Sequence, residues 1–390
     1  MRRARWLRRV GIGLIVVLAL MLAWEPSRVA MQTLVLVPSL LDAGPQPLRL
    51  FSRTPLRSTV PYREGAAAGD LAELWLPAGA SADDRAGAIL LVFGVNNVGR
   101  NHPAVVRLAE SLARTGVAAL VPDSRTLLEG RLEVGEIDGV VRAFQLLAGR
   151  PEVDPARVSI AGFSVGGSLA LLAARDPRIA GEVQWVNAFG AYADAATYLA
   201  SVAAHAYELN GESVAWDPTP LAREVFFQFV LDQIPDASDA AAIRARFERP
   251  VLDGEEAERS ASFERSLTTG AGRAVYRLLT AGSLEEAERA VGQLPPASLR
   301  FIDALSPVRH LDGLRADIRL MHETEDHHVP FVQSRELETA LVAADLPGDV
   351  RLTEFRLFDH VQPDDVDLAA AAPELWKLWW HLHGLMVDTL

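Results

Sequence analysis

Ser164 stands in Gly162-Phe163-Ser164-Val165-Gly166, where residue types and spacing first suggest chemistry. A serine hydroxyl is a weak nucleophile at neutral pH. It attacks a carbonyl when an imidazole takes its proton and a carboxylate fixes that imidazole's tautomer. By composition alone the bare pattern would turn up roughly 0.1 times in a chain of this length, so its meaning depends on its flanks. Val158 to Ala161 read as a short buried strand after Asp154-Pro155, and Ser168 to Arg175 read as a helix. A strand, a sharp turn carrying a serine, and a helix make a nucleophile elbow. The glycines permit the close approach of strand and helix, and the helix N-terminus offers N–H groups to a developing anion. The rival reading is a tight β–α turn in which the serine only caps the helix.

An elbow serine needs an acid and then a histidine, in that chain order, each after a strand. Leu352–Phe358 reads as a strand and runs into Asp359-His360-Val361, which makes His360 the base candidate. Ile318–Met321 reads as a strand and runs into His322-Glu323-Thr324-Glu325-Asp326-His327-His328-Val329-Pro330. Asp326 is the acid candidate, with Glu325 and Glu323 as rivals. Asp359 is disfavoured, because a sequence neighbour on an extended strand points to the opposite face. The same run invites a metal reading through His322, Asp326, His327 and His328. It is expected to be a loop rather than a helix presenting i and i+4 together, and no second ligand cluster is evident, so neither metal nor cofactor is expected. The oxyanion donors are expected at the backbone of Val165 and of Val95, which follows the strand Ala88–Phe93. Asn96 or Asn97 could add a side-chain donor.

The elements that must position these residues alternate. Leu71–Leu76, Ala88–Phe93, Val117–Val121, Val158–Ala161 and Glu182–Asn187 read as strands, with helices over Ala104–Thr115 and Glu136–Ala148 between them. Continuous apolar strands separated by helices predict an α/β fold with a doubly wound, mostly parallel sheet. The rhythm breaks over residues 191–300. This stretch carries helical pieces at Thr197–Leu209, Leu221–Ile234, Ala240–Phe247, Arg273–Thr280 and Ser283–Gln293, the last opening on the capping-box pattern Ser283-x-x-Glu286. Such an insertion reads as a helical cap over the site, against a rival reading as outer decoration of the sheet. Strand rhythm then returns, with a helix at Val332–Val342 and a last one from Leu368 to about Met386. The last helix holds Trp376, Trp379 and Trp380, expected at the edge of a packed core.

The chain has 390 residues, 49% of them hydrophobic, a formal net charge of −13 and no cysteine. The acidic balance argues against a nucleic-acid partner, and the lack of cysteine excludes disulfides and a thiol nucleophile. Arg2, Arg3, Arg5, Arg8 and Arg9 precede an uncharged run from Val10 to Trp24. Residues 1–9 are read as a basic cytoplasmic end and 10–24 as a signal-anchor or a cleaved signal peptide. The run is shorter than the ~20 residues that cross a bilayer comfortably, but snorkelling Arg8 and Arg9 with Trp6 and Trp24 would extend it. Arg28-Val29-Ala30 is not a clean Ala-x-Ala cleavage site. An uncleaved anchor is the leading expectation, with residues 25–390 outside the cytoplasm, or secreted if the segment is cut. Val29–Leu41 is a second apolar patch, broken by Pro38, expected either along the membrane or over the sheet. Residues 25–69 as a whole read as a linker or edge region.

Val153-Asp154-Pro155-Ala156-Arg157-Val158-Ser159-Ile160-Ala161-Gly162-Phe163-Ser164-Val165-Gly166-Gly167 resembles the elbow of α/β-hydrolases, especially the dienelactone hydrolase and prolyl oligopeptidase-like branches. Leu305-Ser306-Pro307-Val308-Arg309-His310-Leu311, followed by Ile318 to Pro330, resembles their acid-bearing region. The resemblance covers roughly residues 70–190 and 300–385, and implies that Ser164, Asp326 and His360 hold the triad positions. The family usually has glycine where this chain has Glu323, and begins its oxyanion loop His-Gly where this chain has Phe93-Gly94.

The expectation is therefore an α/β-hydrolase fold of two core segments, 70–190 and 301–390, a cap over 191–300 and an N-terminal membrane segment. The expected activity is a serine hydrolase cleaving a carboxylic ester, lipid-like or small, through an acyl-enzyme. A peptidase, an acyltransferase and a non-catalytic binding protein of the same fold are the alternatives. The expected partners are the ester substrate and, through the N-terminus, a membrane; oligomeric state is not read from the sequence.

Overall fold

The computed structural model describes residues 25–41, 46–63, 70–255, 258–363 and 371–390. The basic end and the apolar run at 10–24 lie outside the described residues. Among the described residues no helix is long and apolar enough to cross a membrane.

Eight strands form one sheet: β1 Leu56–Pro61, β2 Leu71–Leu76, β3 Ala86–Val92, β4 Ala118–Pro122, β5 Val153–Phe163, β6 Val183–Phe189, β7 Asp317–Glu323 and β8 Val350–Phe355. Their order across the sheet is β1-β2-β4-β3-β5-β6-β7-β8. β2 runs antiparallel to β1 and β4, and every other neighbouring pair is parallel. The continuous apolar runs fit strands covered on both faces. On β3, Leu90 and Val92 point into one core, while Ile89 and Leu91 point into another, as the two-residue period requires.

Two layers of helices cover the sheet. Helix α1 is Glu25–Leu40, α2 is Pro47–Phe51 and α3 is Pro103–Thr115. Helices α4 (Gly135–Ala148) and α5 (Val165–Ala174) pack Phe144, Leu147 and Leu169 against Leu90, Leu120 and Ile160 on the first face. On the second face α1 and α3 meet the C-terminal helix, and Leu36, Leu112 and Met386 bury against Leu91 and Trp185. The apolar patch at Val29–Leu41 thus covers the sheet. Pro38 falls in the last turn of α1, where it displaces little helix. Residues 25–69 also contain the edge strand β1, whose exposed side chains gave no strand signal.

Between β6 and β7 the chain leaves the sheet and builds a helical unit. It comprises α6 Ala195–Ala204, a hairpin of Ala206–Leu209 with Glu212–Ala215, α7 Pro220–Asp232, α8 Ala237–Asp253, α9 Ala261–Ser266, α10 Gly270–Leu279, α11 Leu284–Val291 and α12 Pro296–Ala304. The helix expected over Thr197–Leu209 stops at His205, which takes the left-handed conformation at φ 50°, and the remainder turns into the hairpin. Side chains of Thr219, Asp236, Ser260, Thr269 and Ser283 accept the orphan N–H groups at helix starts. Glu286 accepts from Gly282 N at 3.0 Å, so the expected capping box closes one residue early. The unit has its own core, with Phe226, Val230, Phe247, Val275, Leu278 and Val291 buried together. Its two ends are pinched side by side. Val308 N donates to Ala193 O at 3.2 Å, Ala195 N to Ser306 Oγ at 2.9 Å, and Arg309 Nε to Asp194 at 2.8 Å.

After β7, α13 (Val332–Ala343) returns the chain to β8, and α14 (Ala372–Thr389) closes the second face. The strand expected to reach Phe358 ends at Phe355. Phe358–Asp359 pairs instead with Gln362–Pro363, which leaves His360 at the tip of a hairpin. Of the tryptophans of α14, Trp379 packs against the core edge as expected, but the other two do not. Trp376 and Trp380 are 61% and 58% exposed, and Trp376 stacks on both Trp380 and half-buried Trp379.

Candidate active site

Ser164 sits between the last residue of β5 and the first of α5, at φ 55° and ψ −134°. Positive φ is costly for a residue with a side chain, and close packing holds it there. Ser164 N donates to Phe189 O at 2.7 Å, and Gly167 N donates to Ser164 O at 2.8 Å. A Cβ on Gly162 would lie 2.3 Å from Gly166 O, and one on Gly166 would lie 2.2 Å from Val92 O. Both contacts are with backbone, so the pentad's two glycines are obligatory where β3, β5 and α5 meet.

His360 brings its imidazole to the same place. Its Nδ1 lies 2.5 Å from Asp326 Oδ2, and its Nε2 is buried with no hydrogen-bond partner among the described residues. The donor on Nδ1 leaves Nε2 as the basic nitrogen, an assignment made from this bond. Ser164 and His360 line one cavity. The hairpin holds His360 at φ 58°. Gly190, at the end of β6, makes room for the ring, because a Cβ there would lie 2.7 Å from His360 Cε1.

Asp326 is buried and fully engaged. Its Oδ1 accepts from His328 N at 2.7 Å and Val329 N at 3.0 Å, and its Oδ2 also receives His322 Nε2 at 3.3 Å. Burial alone would raise its pKa. The nearby His360, and hydrogen bonds from His322 and His360, outweigh that and hold the carboxyl well below the usual range. The rival acids do other things. Glu325 is exposed. Glu323 turns away and accepts from Leu357 N at 2.7 Å and Phe358 N at 3.0 Å, fixing the bend that leads to His360.

The His/Asp run is mostly spent on hydrogen bonds. His322 is fully buried between Ser334 Oγ at 2.6 Å and Val329 O at 3.0 Å. His327 reaches Asp217 O at 2.9 Å. His328 stacks on His360 with ring centroids 4.5 Å apart. Asp326, His328 and His360 have ligand atoms within 4.8 Å of one another, so a metal ion could be held there. It would compete with the proton shared by Asp326 and His360.

The insertion grips this loop from outside. Tyr198 Oη donates to His328 O at 2.9 Å, Trp216 Nε1 to Asp326 O at 2.8 Å and Thr219 N to His327 O at 2.8 Å. These contacts were not foreseen from the sequence. Nothing local marks Tyr198 or Trp216 as partners of a loop more than a hundred residues away.

The Gly94-Val95 segment passes beside the elbow. A Cβ on Gly94 would lie 3.1 Å from Ser164 Cβ and 3.2 Å from Val165 N. Val165 N–H is the first of α5 and has no acceptor within the helix. Asn96 is committed to its own turn: its Oδ1 accepts from Val98 N at 3.2 Å and from Gly99 N, and Asn97 is exposed. Asp123, just after β4, ties the loop down by accepting from Arg100 N at 2.7 Å.

No protein-family model and no curated protein match this chain. Solved structures resemble it at low identity. Porphyromonas gingivalis dipeptidyl peptidase 4 matches 87% of this chain at 13% identity and TM-score 0.48; the chain spans 36% of that protein's length. A truncated carbohydrate esterase from gut microbiota matches 84% of this chain and 97% of its own at 14% identity and TM-score 0.47. Thermogutta terrifontis esterase 2 matches 86% of this chain and 96% of its own at 16% identity and TM-score 0.46. The strand order, with a serine elbow after β5 and a histidine loop after β8, is that of the α/β-hydrolase fold.

Proposed function

We propose that this chain is a serine hydrolase that cleaves carboxylic esters through an acyl-enzyme. The observation that carries this reading is His360. It is bonded through Nδ1 to buried Asp326, its Nε2 has no partner among the described residues, and it lines one cavity with a serine on an elbow. In the proposed mechanism, Ser164 Oγ bonds to the substrate carbonyl carbon as its proton passes to His360 Nε2. Asp326 stabilises the imidazolium, and the N–H groups of Val165 and Val95 donate to the oxyanion. The imidazolium then gives its proton to the departing alkoxide as the C–O bond breaks. Water, giving a proton to the same imidazole, bonds to the acyl carbon; the acyl C–Oγ bond then breaks, the imidazolium returns the proton to Ser164 Oγ, and the acid leaves. Catalytic hydrogen bonds in the free enzyme are often long and tighten only with substrate bound. The apolar lining beside Ser164 favours an ester of a lipid-like acid over a peptide.

Labelling with a fluorophosphonate probe tests this reading. The intact protein is expected to take one probe at Ser164. Ser164→Ala is expected to take none and to lose at least about a thousandfold in kcat, with an unchanged circular dichroism spectrum. Ester turnover that survives Ser164→Ala would sink the assignment.

We further infer that residues 10–24 anchor the protein in a membrane with the catalytic unit outside the cytoplasm. Exposed Met31 and Leu34 on α1, and Trp376 and Trp380 on the adjoining α14, support it, since tryptophan favours the membrane–water boundary.

A further inference from the structure

We propose that the acyl group of the substrate is a medium- to long-chain fatty acyl group, and that it lies between the sheet and helices α1, α3 and α14 rather than under the cap. This rests on the ester-hydrolase reading above and specifies its substrate. The cavity that opens beside Ser164 and His360 has a volume of about 440 Å³. A methylene takes up about as much room as a water, ~30 Å³, so the space suits a chain on the order of ten or more carbons. Its walls are mostly apolar, with Leu36, Leu91, Leu108, Leu112, Trp185 and Met386 supplied by the second face, while His102, Arg107 and Asp359 also line it. Trp185 and Phe189 both line it and stand four residues apart on β6, about 13 Å along one face of the strand. The cavity thus runs from the strand ends down the sheet. Asn187, between them, already bonds His381 Nε2 at 2.8 Å and Met321 Sδ at 3.6 Å, so its amide does not call for a polar ligand.

The second cavity near the elbow is smaller. It holds about 210 Å³ and is lined by Val165 but not by Ser164; Leu199, Phe226, Phe229 and Ile302 contribute to its walls, together with Arg131 and Asp232. Val95 lines both cavities. The carbonyl bound at Val95 and Val165 would therefore have a chamber on its serine side about twice the volume of the one on its cap side. The acyl chain belongs in the larger chamber, which Ser164 itself lines, and the alcohol in the smaller. Helix α1, which supplies Leu36, begins at Glu25, immediately after the uncharged run 10–24.

The full-length protein in detergent, assayed on p-nitrophenyl acetate, butyrate, octanoate, decanoate, laurate and palmitate, tests this. The value of kcat/KM is expected to rise roughly three- to fourfold per methylene, to peak between octanoate and laurate, and to fall for palmitate. Leu108→Trp, at a half-buried position, and Ala161→Leu, on the cavity's sheet wall, should each narrow the chamber. Each is expected to lower the laurate-to-acetate ratio of kcat/KM at least thirtyfold. A profile that is flat or falls from acetate onward overturns the proposal, as do folded variants that leave the ratio unchanged. Failure of every ester together with failure of fluorophosphonate labelling overturns the hydrolase reading itself.

Discussion

His381 illustrates how one buried side chain ties stability to acidity. Its ring lies between Thr353 Oγ1 at 2.9 Å and Asn187 Oδ1 at 2.8 Å. Burial, helped by Arg319, pushes its pKa down to about 3. His328, half-buried and stacked on His360, is pushed down to about 4 by desolvation and by its neighbour. Unfolded, both would take a proton below about pH 6.5; folded, they refuse it until far lower. The unfolded state therefore binds more protons in between, and stability falls as pH drops from 6.5 towards those folded values. Each histidine should cost on the order of 2–3 kcal/mol by pH 4.5. Asp326, whose pKa is depressed, adds its own loss only at lower pH. Urea unfolding across this range should show the decline, and His381→Gln should flatten it. An identical slope in that variant would show that His381 is not responsible.

At the scale of elements, the helical insertion is part of the frame of the candidate site. Three cap donors hold the backbone of Asp326-His327-His328, so the acid is fixed from the sheet side by β7 and from outside by α6 and the hairpin's flank. Trp216→Phe keeps an aromatic ring at this buried position but removes the Nε1 donor and part of the indole's volume. It is expected to destabilise the protein by about 1–2 kcal/mol and to lower kcat about tenfold while KM changes less, measured on an ester of fixed chain length. An unchanged kcat would mean the acid loop stands without the cap. Much of this frame was legible in advance. The elbow announces itself because Gly162 and Gly166 must be small, and Asp326 and His360 lie where parallel strands deliver them. Glu323 was less legible, because its role depends on backbone N–H groups 34 and 35 residues away. The strand β1 was hidden by its exposed face. The acyl chamber was hidden for a different reason: an apolar stripe reads the same whether it packs on side chains or lines a cavity.

For the whole molecule, the proposed anchor makes a location testable. The intact chain should stay with membranes through a high-salt and alkaline carbonate wash. A tag on its C-terminus should be digested by protease added to the outside of intact cells or spheroplasts. Release by carbonate, or a protected tag, would count against an outward-facing anchored enzyme. Helix α1, which follows the proposed anchor in sequence, lies beside α14, and Trp379 Nε1 donates to Ala30 O at 3.4 Å. On this proposal, one wall of the chamber for a fatty chain is the helix that follows the anchor.

The pinched base of the helical unit has one more consequence, for ancestry and engineering. The chain enters it at Ala193 and leaves it at Val308, two residues joined by a hydrogen bond, so the sheet meets the insert as it would a short loop. Its outer helices can change while strand register and elbow stay fixed. Such a segment can be grafted, provided that the replacement supplies donors where Tyr198, Trp216 and Thr219 now hold the backbone of residues 326–328.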